Sequence, residues 1–405
     1  MTEEVEPRAR LPKEIWVLVS AAFLIALGFG LVAPALPQFA RSFDVSVTAA
    51  SVVISSFAFM RLVFAPASGR LVQRLGERPI YITGVLVVAA STGACAIAAN
   101  YGQLLVFRGL GGIGSTMFTV SAMGLLIRIA PPGMRGRVSG LYATSFLMGN
   151  ITGPLFGGLL VGFGLRVPFV IYAIALLIAA AVVFFALRGS HLAAPDRGAD
   201  VPTLTLRDGL AAPSYRAALV SNFAYGGVIF GVRVAMVPLF VVEALNRDAA
   251  FAGIALMVFA VGNAAVQSIA GRMSDRIGRK PFVLGGLIVC GASTVAMGIG
   301  ENLVVFLVAS VTAGLGSGAM NPAQQAAVAD VIGSKARGGP VLATFQMMSD
   351  VGGVLGPIIG GLLAETFSYG VAFAVTGSVM LVAALVWAKV PAEPVPKDAN
   401  EDTQR

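Results

Sequence analysis

Four charged residues stand inside otherwise apolar stretches of the sequence: Arg61, Arg108, Arg233 and Asp350. A charge at the centre of a membrane helix costs about 2.5–3.5 kcal/mol on the insertion scale, so each should be paired or face a cavity. Asp350 is the acid nearest the middle of its run. By helical rise it lies about 18 Å from the start of that run, and Arg61 lies about 17 Å from the end of its own, so the two can share one depth. An acid in a low-dielectric site beside a cation is a proton switch, because protonation breaks the pair and frees whatever the pair joined. The competing reading is a static salt bridge that fixes an interface. Other chemistry has little to work with. The single histidine, His191, falls in a polar segment, and Cys95 and Cys290 sit in apolar runs without pairing or metal spacing. No catalytic residue, metal or cofactor is expected; protons are the expected coupling ion.

The elements that must position these charges are membrane helices. The 405-residue chain is 57% hydrophobic and 12% charged, which excludes an ordinary soluble protein. Apolar runs of about 20 residues recur from end to end. They predict twelve spans, at approximately 15–40, 48–72, 79–99, 102–129, 137–162, 166–187, 214–242, 250–272, 281–299, 303–332, 339–364 and 369–389. The first run is too long for a signal-peptide core and is read as a retained span. An even number of spans puts both termini on one side. Loops on that side carry nearly all the cations, and the other side carries only Arg41, Arg166 and Arg247. This asymmetry predicts cytoplasmic termini. It also accounts for the net charge of +8 without nucleic acid. The expected organisation is an N-terminal six-helix bundle (1–187), a cytoplasmic linker (188–213), a C-terminal six-helix bundle (214–390) and a disordered cytoplasmic tail (391–405). Within the linker, Thr203–Gly209 is expected to form a short surface helix.

The halves repeat. Gly69-Arg70-Leu-Val-Gln73-Arg74-Leu-Gly76-Glu-Arg78 pairs with Gly271-Arg272-Met-Ser-Asp275-Arg276-Ile-Gly278-Arg279-Lys280. The offset from 69 to 271 is 202 residues, and Gly112 pairs with Gly314, and Arg135-Gly136 with Arg337-Gly338, at the same spacing. Gly153-Pro-Leu-Phe-Gly-Gly158 pairs with Gly356-Pro-Ile-Ile-Gly-Gly361. Matching motifs in matching spans imply a parallel repeat about an axis along the membrane normal. The basic loop resembles the G-x-L-x-D-R-x-G-R-[RK] signature of the major facilitator superfamily, which joins the second span of each half to the third. That resemblance implies an all-α membrane fold of twelve transmembrane helices in two six-helix pseudo-symmetric bundles. It also implies that the loop latches the halves in one state, with Asp275 and Arg276 in that role. Gln73 stands where the acid should be, so the upstream latch is expected to be weaker. A purely electrostatic reading, attraction of the loop to anionic headgroups, explains the cations but neither Asp275 nor the glycines.

Two further strings resemble elements of the family's twelve-span drug–proton antiporters. Gly149-Asn-Ile-Thr-Gly153-Pro154-Leu-Phe-Gly157-Gly158 is similar to their G-x-x-x-G-P-x-x-G-G element, and it also reads as a close-packing helix face with a kink. Arg108-Gly-Leu-Gly-Gly-Ile-Gly114 is similar to their R-x-x-x-G-x-G element, whose arginine is linked to proton transfer. Gly111 stands where many relatives carry Gln, and snorkelling to the outer interface is the plainer reading of Arg108. The first span, Gly28 to Pro37, carries no acid, so coupling would rest on Asp350 almost alone. Spans two and eleven face each other in the resembled fold, which points to an Arg61–Asp350 pair across the halves. Candidate substrate-cavity residues are Asn150, Asn222, Tyr225, Arg233, Asn263, Gln267, Asn321, Gln324, Gln325 and Gln346, each also readable as an interhelical hydrogen bond. Met60, Met117, Met148, Met320 and Met347 are expected to help line an adaptable apolar wall.

The resemblance therefore implies proton-coupled export of small hydrophobic or amphipathic compounds across a bacterial inner membrane, by a monomer in the lipid bilayer and without nucleic acid. An importer or uniporter of a small metabolite is the alternative on the same fold. A non-transporting membrane receptor or lipid-handling scaffold is the alternative of another class. An enzyme is excluded by the lack of a catalytic constellation in the spans.

Overall fold

The computed structural model describes residues 11–130, 134–188, 204–300, 302–333 and 339–391. His191, the repeat member Arg337-Gly338, most of the linker and the tail beyond Pro391 lie outside these residues. Among them, twelve helices are long and apolar enough to cross a membrane. They are α1 (Lys13–Val32), α2 (Val47–Leu75), α3 (Glu77–Ala96), α4 (Tyr101–Ile129), α5 (Arg135–Val161) and α6 (Val167–Leu187) in the first half. The second half has α7 (Pro213–Ala244), α8 (Ala249–Ile277), α9 (Arg279–Met297), α10 (Leu303–Ile332), α11 (Gly339–Thr366) and α12 (Tyr369–Ala388).

Each half is built by one packing scheme. In the first, α1 packs on α5 and α6, α4 on α2 and α3, and α3 on α6. In the second, α7 packs on α11 and α12, α10 on α8 and α9, and α9 on α12. The halves meet along α2 against α11 and α5 against α8, which are the same crossing seen twice. The internal repeat in the sequence is thus a repeat of helix positions, and the two crossings flank a pseudo-two-fold axis between the halves.

Local chemistry decides where helices stop. Gly76 and Gly278 end α2 and α8 with φ of 85° and 105°, conformations that L side chains rarely adopt. This places each basic loop's glycine at a sharp turn into the next helix. The expected first span (15–40) is shorter than the sequence suggests. It breaks after Val32 and resumes as a separate short helix, Leu36–Arg41, because Pro34 and Pro37 interrupt the hydrogen-bond ladder there. The span α7 is not uniform either. Wider π-type turns occupy Gly226–Val232 and Phe240–Ala244, and at the first of these Gly226 and Gly227 lie against the α11 backbone. In the linker, Leu206–Ala211 is helical and opens on a reciprocal Thr205–Asp208 capping box.

The end of the bundle where α1 begins and α12 finishes carries the arginine-rich loops and is called here the basic end. The halves are joined at the opposite end. There Arg41 pairs with Glu243 at 2.8 Å, and the Thr48 hydroxyl donates to Glu365 at 2.5 Å. A methyl group added to Gly361 would lie 2.7 Å from Ser51 Oγ, and one added to Gly158 would lie 3.0 Å from the Ala250 carbonyl oxygen. Nearer the middle, Ser55 donates to the Val354 carbonyl at 2.7 Å. Toward the basic end, methyl groups added to Gly69, Gly140 or Gly339 would meet nothing within 4 Å. The space between the halves therefore opens at the basic end.

Candidate functional site

The opening leads to a cavity of about 250 Å³ between the halves. All six helices of the first half contribute to its wall, together with α7 and α11. Its charged residues are Arg61, Arg108 and Asp350, and Phe29, Phe57, Phe118, Phe146 and Phe230 supply much of its apolar surface. Arg61 Nε donates to Asp350 Oδ1 at 3.3 Å, with side-chain exposures of 18% and 13%. Arg61 Nη1 donates to Ser115 Oγ at 2.7 Å, which fixes the guanidinium from α4 while its other edge reaches across to α11. The pair is thus the innermost polar tie between the halves, held where α2 crosses α11.

Arg108 is buried, 6% exposed, so it does not snorkel to an interface. Its guanidinium lies over the Phe57 ring at 4.3 Å and within 5.8 Å of Phe29. Its Nε has no hydrogen-bond partner among the described residues. The second half carries a counterpart. Phe259 occupies the repeat position of Phe57, 202 residues on, and Arg233 stacks over it at 3.5 Å. Arg233 comes from α7 rather than α10, and it is satisfied by donating to the Ala255 carbonyl at 3.0 Å. Asn263 likewise occupies the repeat position of Arg61 and donates to Ser317 at 2.9 Å, as Arg61 does to Ser115.

The remaining sequence candidates divide between wall and interior. Asn150 and Gln346 line the cavity. Asn222 and Gln324 do not: with Ser221 and Trp387 they form a buried network tying α7 to α10, α11 and α12. Tyr225 is buried against Phe230, and Arg233 and Asn263 serve the contacts just given. Gln267, Asn321 and Gln325 are not among the lining residues, and Gln325 is exposed and donates to Asn321 along α10. None of the five candidate methionines lines the cavity; Met117 and Met320 are buried in the packing, and the wall is phenylalanine instead. Periodicity alone cannot tell these faces apart, because helices of this kind are apolar all round.

The sequence profile of the Major Facilitator Superfamily matches residues 18–232 and 218–405, virtually the whole chain. The chain belongs to the Major Facilitator Superfamily. Its fold and relatives are those of transporters, not of enzymes. A curated relative, the quinolone resistance protein NorA of Staphylococcus aureus, is 30% identical over 157 residues, 39% of this chain and 40% of that protein. The match thus spans well under half of NorA. Multidrug resistance protein 1 of Bacillus subtilis is 26% identical over 387 residues, 93% of this chain and 96% of the relative. Among solved structures, a bacterial homolog of the human lysosomal transporter Spinster, inward-facing and unoccupied, superposes with a TM-score of 0.75 at 17% identity over 94% of this chain and 97% of that one. A POT family transporter gives 0.79 at 11% identity over 93% and 95%. These structural likenesses concern the fold.

The superfamily's loop signature can now be placed. In the second copy, Asp275 pairs with Arg279 one turn on, and Arg279 also bonds Asp330 of α10 at 3.0 Å. In the first copy, Glu77 replaces the arginine and pairs with Arg128 of α4. Both ties span 51 residues and occupy repeat positions with their signs reversed, a swap the sequence shows only once the partners are known. The side chains of Arg70, Arg74 and Arg276 are exposed, and Arg78 reaches the Phe184 carbonyl at 3.4 Å. All these contacts stay within one half, in a form open at the same end. The Gly-Pro element of α5 divides its work. Gly149, Gly153 and Gly157 lie against the α1 backbone at Leu27, Gly30 and Leu31, and Pro154 packs on Gly30. Gly158 turns the other way and meets Gly253 of α8 across the halves. Its repeat, Gly361, meets Ser51 in the same manner.

Proposed function

We propose that the protein exports small hydrophobic or amphipathic compounds, drugs among them, across a bacterial inner membrane in exchange for protons. The cavity works by alternating access, and both termini face the cytoplasm. The observation that carries this reading is the Arg61–Asp350 pair, a titratable tie between two halves that must move apart. The cation asymmetry of the loops supports cytoplasmic placement of the basic end, and so an inward-open form. The relatives' names, quinolone and multidrug resistance, support outward transport of foreign compounds.

The geometry suggests an order of events. A proton carried inward on Asp350 leaves to water when the ionised carboxylate pairs with Arg61, and the pair then holds the inward-open form. Substrate entering from the cytoplasm must loosen the pair before the halves can rock. Release outside leaves Asp350 free to take the next proton. The halves return with that proton, and its loss inside resets the pair.

Purified protein in liposomes with an internal pH-sensitive dye and an imposed proton gradient tests this reading. A panel of lipophilic compounds should trigger substrate-dependent proton movement in the wild type and none with Asp350→Asn. Substrate movement without protons in both proteins would make the carrier a facilitator. Proton coupling that survives in Asp350→Asn would move the site elsewhere.

A further inference from the structure

Within the cavity, the Arg61–Asp350 pair is neutral as a unit, and among the described residues no second acid lines the wall. The Arg108 charge is therefore uncompensated. A buried charge without a counter-charge is strongly unfavourable, and stacking on Phe57 covers only a face of the guanidinium. The N–H edge makes no hydrogen bond among the described residues: Nε is buried without a partner, and the two terminal nitrogens, which are not buried, bond no other side chain or carbonyl. The second half shows what a satisfied version looks like: Arg233 has the equivalent ring and also a carbonyl acceptor, and it does not line the cavity. Among the described cavity residues, Arg108 is the cation that has no acidic partner and so has its donors to offer to something that enters.

A planar fork of N–H donors matches a carboxylate. Phe29 and Phe57 flank it, and Phe118 and Phe146 line the same cavity, so apolar and aromatic contact is at hand, while the other polar lining residues are uncharged apart from the Arg61–Asp350 pair. That combination suits a monoanion with a hydrophobic body better than a dianion, which would need a second free cation. We infer that the preferred substrates are amphipathic carboxylates, anchored by their charge on Arg108 with the apolar body on these rings. This rests on the transport reading above and narrows its substrate class.

The test compares three probes sharing one fluorescent body: pyrenebutyrate, its carboxamide and the corresponding primary amine. Binding to the full-length protein in nanodiscs is followed by fluorescence at constant pH and salt. The carboxylate should bind about tenfold or more tightly than the carboxamide, as charge-assisted hydrogen bonds predict. Arg108→Gln should bring the carboxylate to the level of the amide and leave the amide within about twofold, while Arg108→Lys should keep part of the preference. Equal binding of all three probes, or tightest binding of the amine, overturns the inference in the wild type alone, without reliance on a variant that folds. The two readings fail separately. A carboxylate held through Arg108 that drives no proton movement in liposomes would keep the site and sink the antiport. An amine that drives proton movement through Asp350, with no carboxylate binding, would do the reverse.

Discussion

Asp350 and Arg61 are mutually dependent in a way that separates a switch from a simple brace. Each is less than one-fifth exposed, so removing either leaves the other charge poorly solvated. Loss of one partner of a fully buried pair costs about 3–5 kcal/mol, and water in the cavity should reduce this to about 1–3 kcal/mol. Asp350→Leu and Arg61→Leu should each lower the melting temperature in detergent. The double variant should recover much of the loss, because no lone charge remains. If the double variant melts no higher than the worse single, the two charges do not depend on each other. Transport should respond differently. Stability returns in the double variant but proton coupling does not, since no acid remains among the described residues that line the cavity.

At the scale of the helices, glycines in one short element have distinct tasks, and substitution can tell them apart. Gly153 faces α1 within its own half, where an added methyl meets the Leu27 carbonyl oxygen. Gly158 faces Ala250 and Gly253 of α8 across the halves. Gly153→Val should therefore reduce the yield of folded protein and its melting temperature whatever the conformation, by about 1–3 kcal/mol as for overpacking. Gly158→Val should keep the half intact but hold the opposite end apart, shifting the population away from the form open at the basic end. Limited labelling of cysteines along α5 checks this: equal effects of the two substitutions on conformation and on stability would refute the division. The linker helix gives a pH-dependent case. Hydrogen bonds from the Thr205 hydroxyl and amide hold the Asp208 carboxyl below the usual range. A lowered carboxylate pKa contributes stability above its unfolded value and loses it as pH falls through the lowered one. Protection of the amides across Leu206–Ala211, taken relative to their intrinsic exchange rates at each pH, should fall on acidification, and Thr205→Ala should remove that dependence. Much at this scale was legible in the sequence. Twelve apolar runs, the repeated loop and the depth of Asp350 were visible because hydropathy, glycine turns and helical rise act locally. Whether the polar side chains of α7 and α10 meet the cavity was not, because Asn222 and Gln324 look the same whether they bind one another or a substrate. Pro34 and Pro37 were visible too, but the length of the apolar run outweighed them and masked the break.

For the molecule as a whole, the pseudo-two-fold axis is itself a functional element. Arg41 and Glu243 are 202 residues apart, the repeat spacing, so each is the other's counterpart, and they pair at the end that is shut. Counterparts can meet only on the axis, so this ion pair joins the halves where rocking must part them. Read this way, the repeat offset predicts a contact, a signal available in the sequence but usable only with the fold in hand. Tyr369 donates to the second Glu243 oxygen at 2.6 Å and orients the carboxylate. With about a third of each side chain exposed, the pair should contribute only about 0.5–1 kcal/mol to closure, which is a two- to fivefold bias between the two forms. A tie this weak suits an end that must open once per cycle. Spin labels at Phe163→Cys and Phe367→Cys, one exposed turn from each half at that end, should report the bias as a distance distribution. Glu243→Gln should increase the separated population by the stated factor, and Arg41→Glu alone should increase it further by like-charge repulsion. Arg41→Glu combined with Glu243→Arg should restore the original distribution in part, because Tyr369 would then face a cation. A distribution unmoved by all three would mean that glycine packing at Gly158 and Gly361 closes the end unaided, and the axis pair would be a bystander.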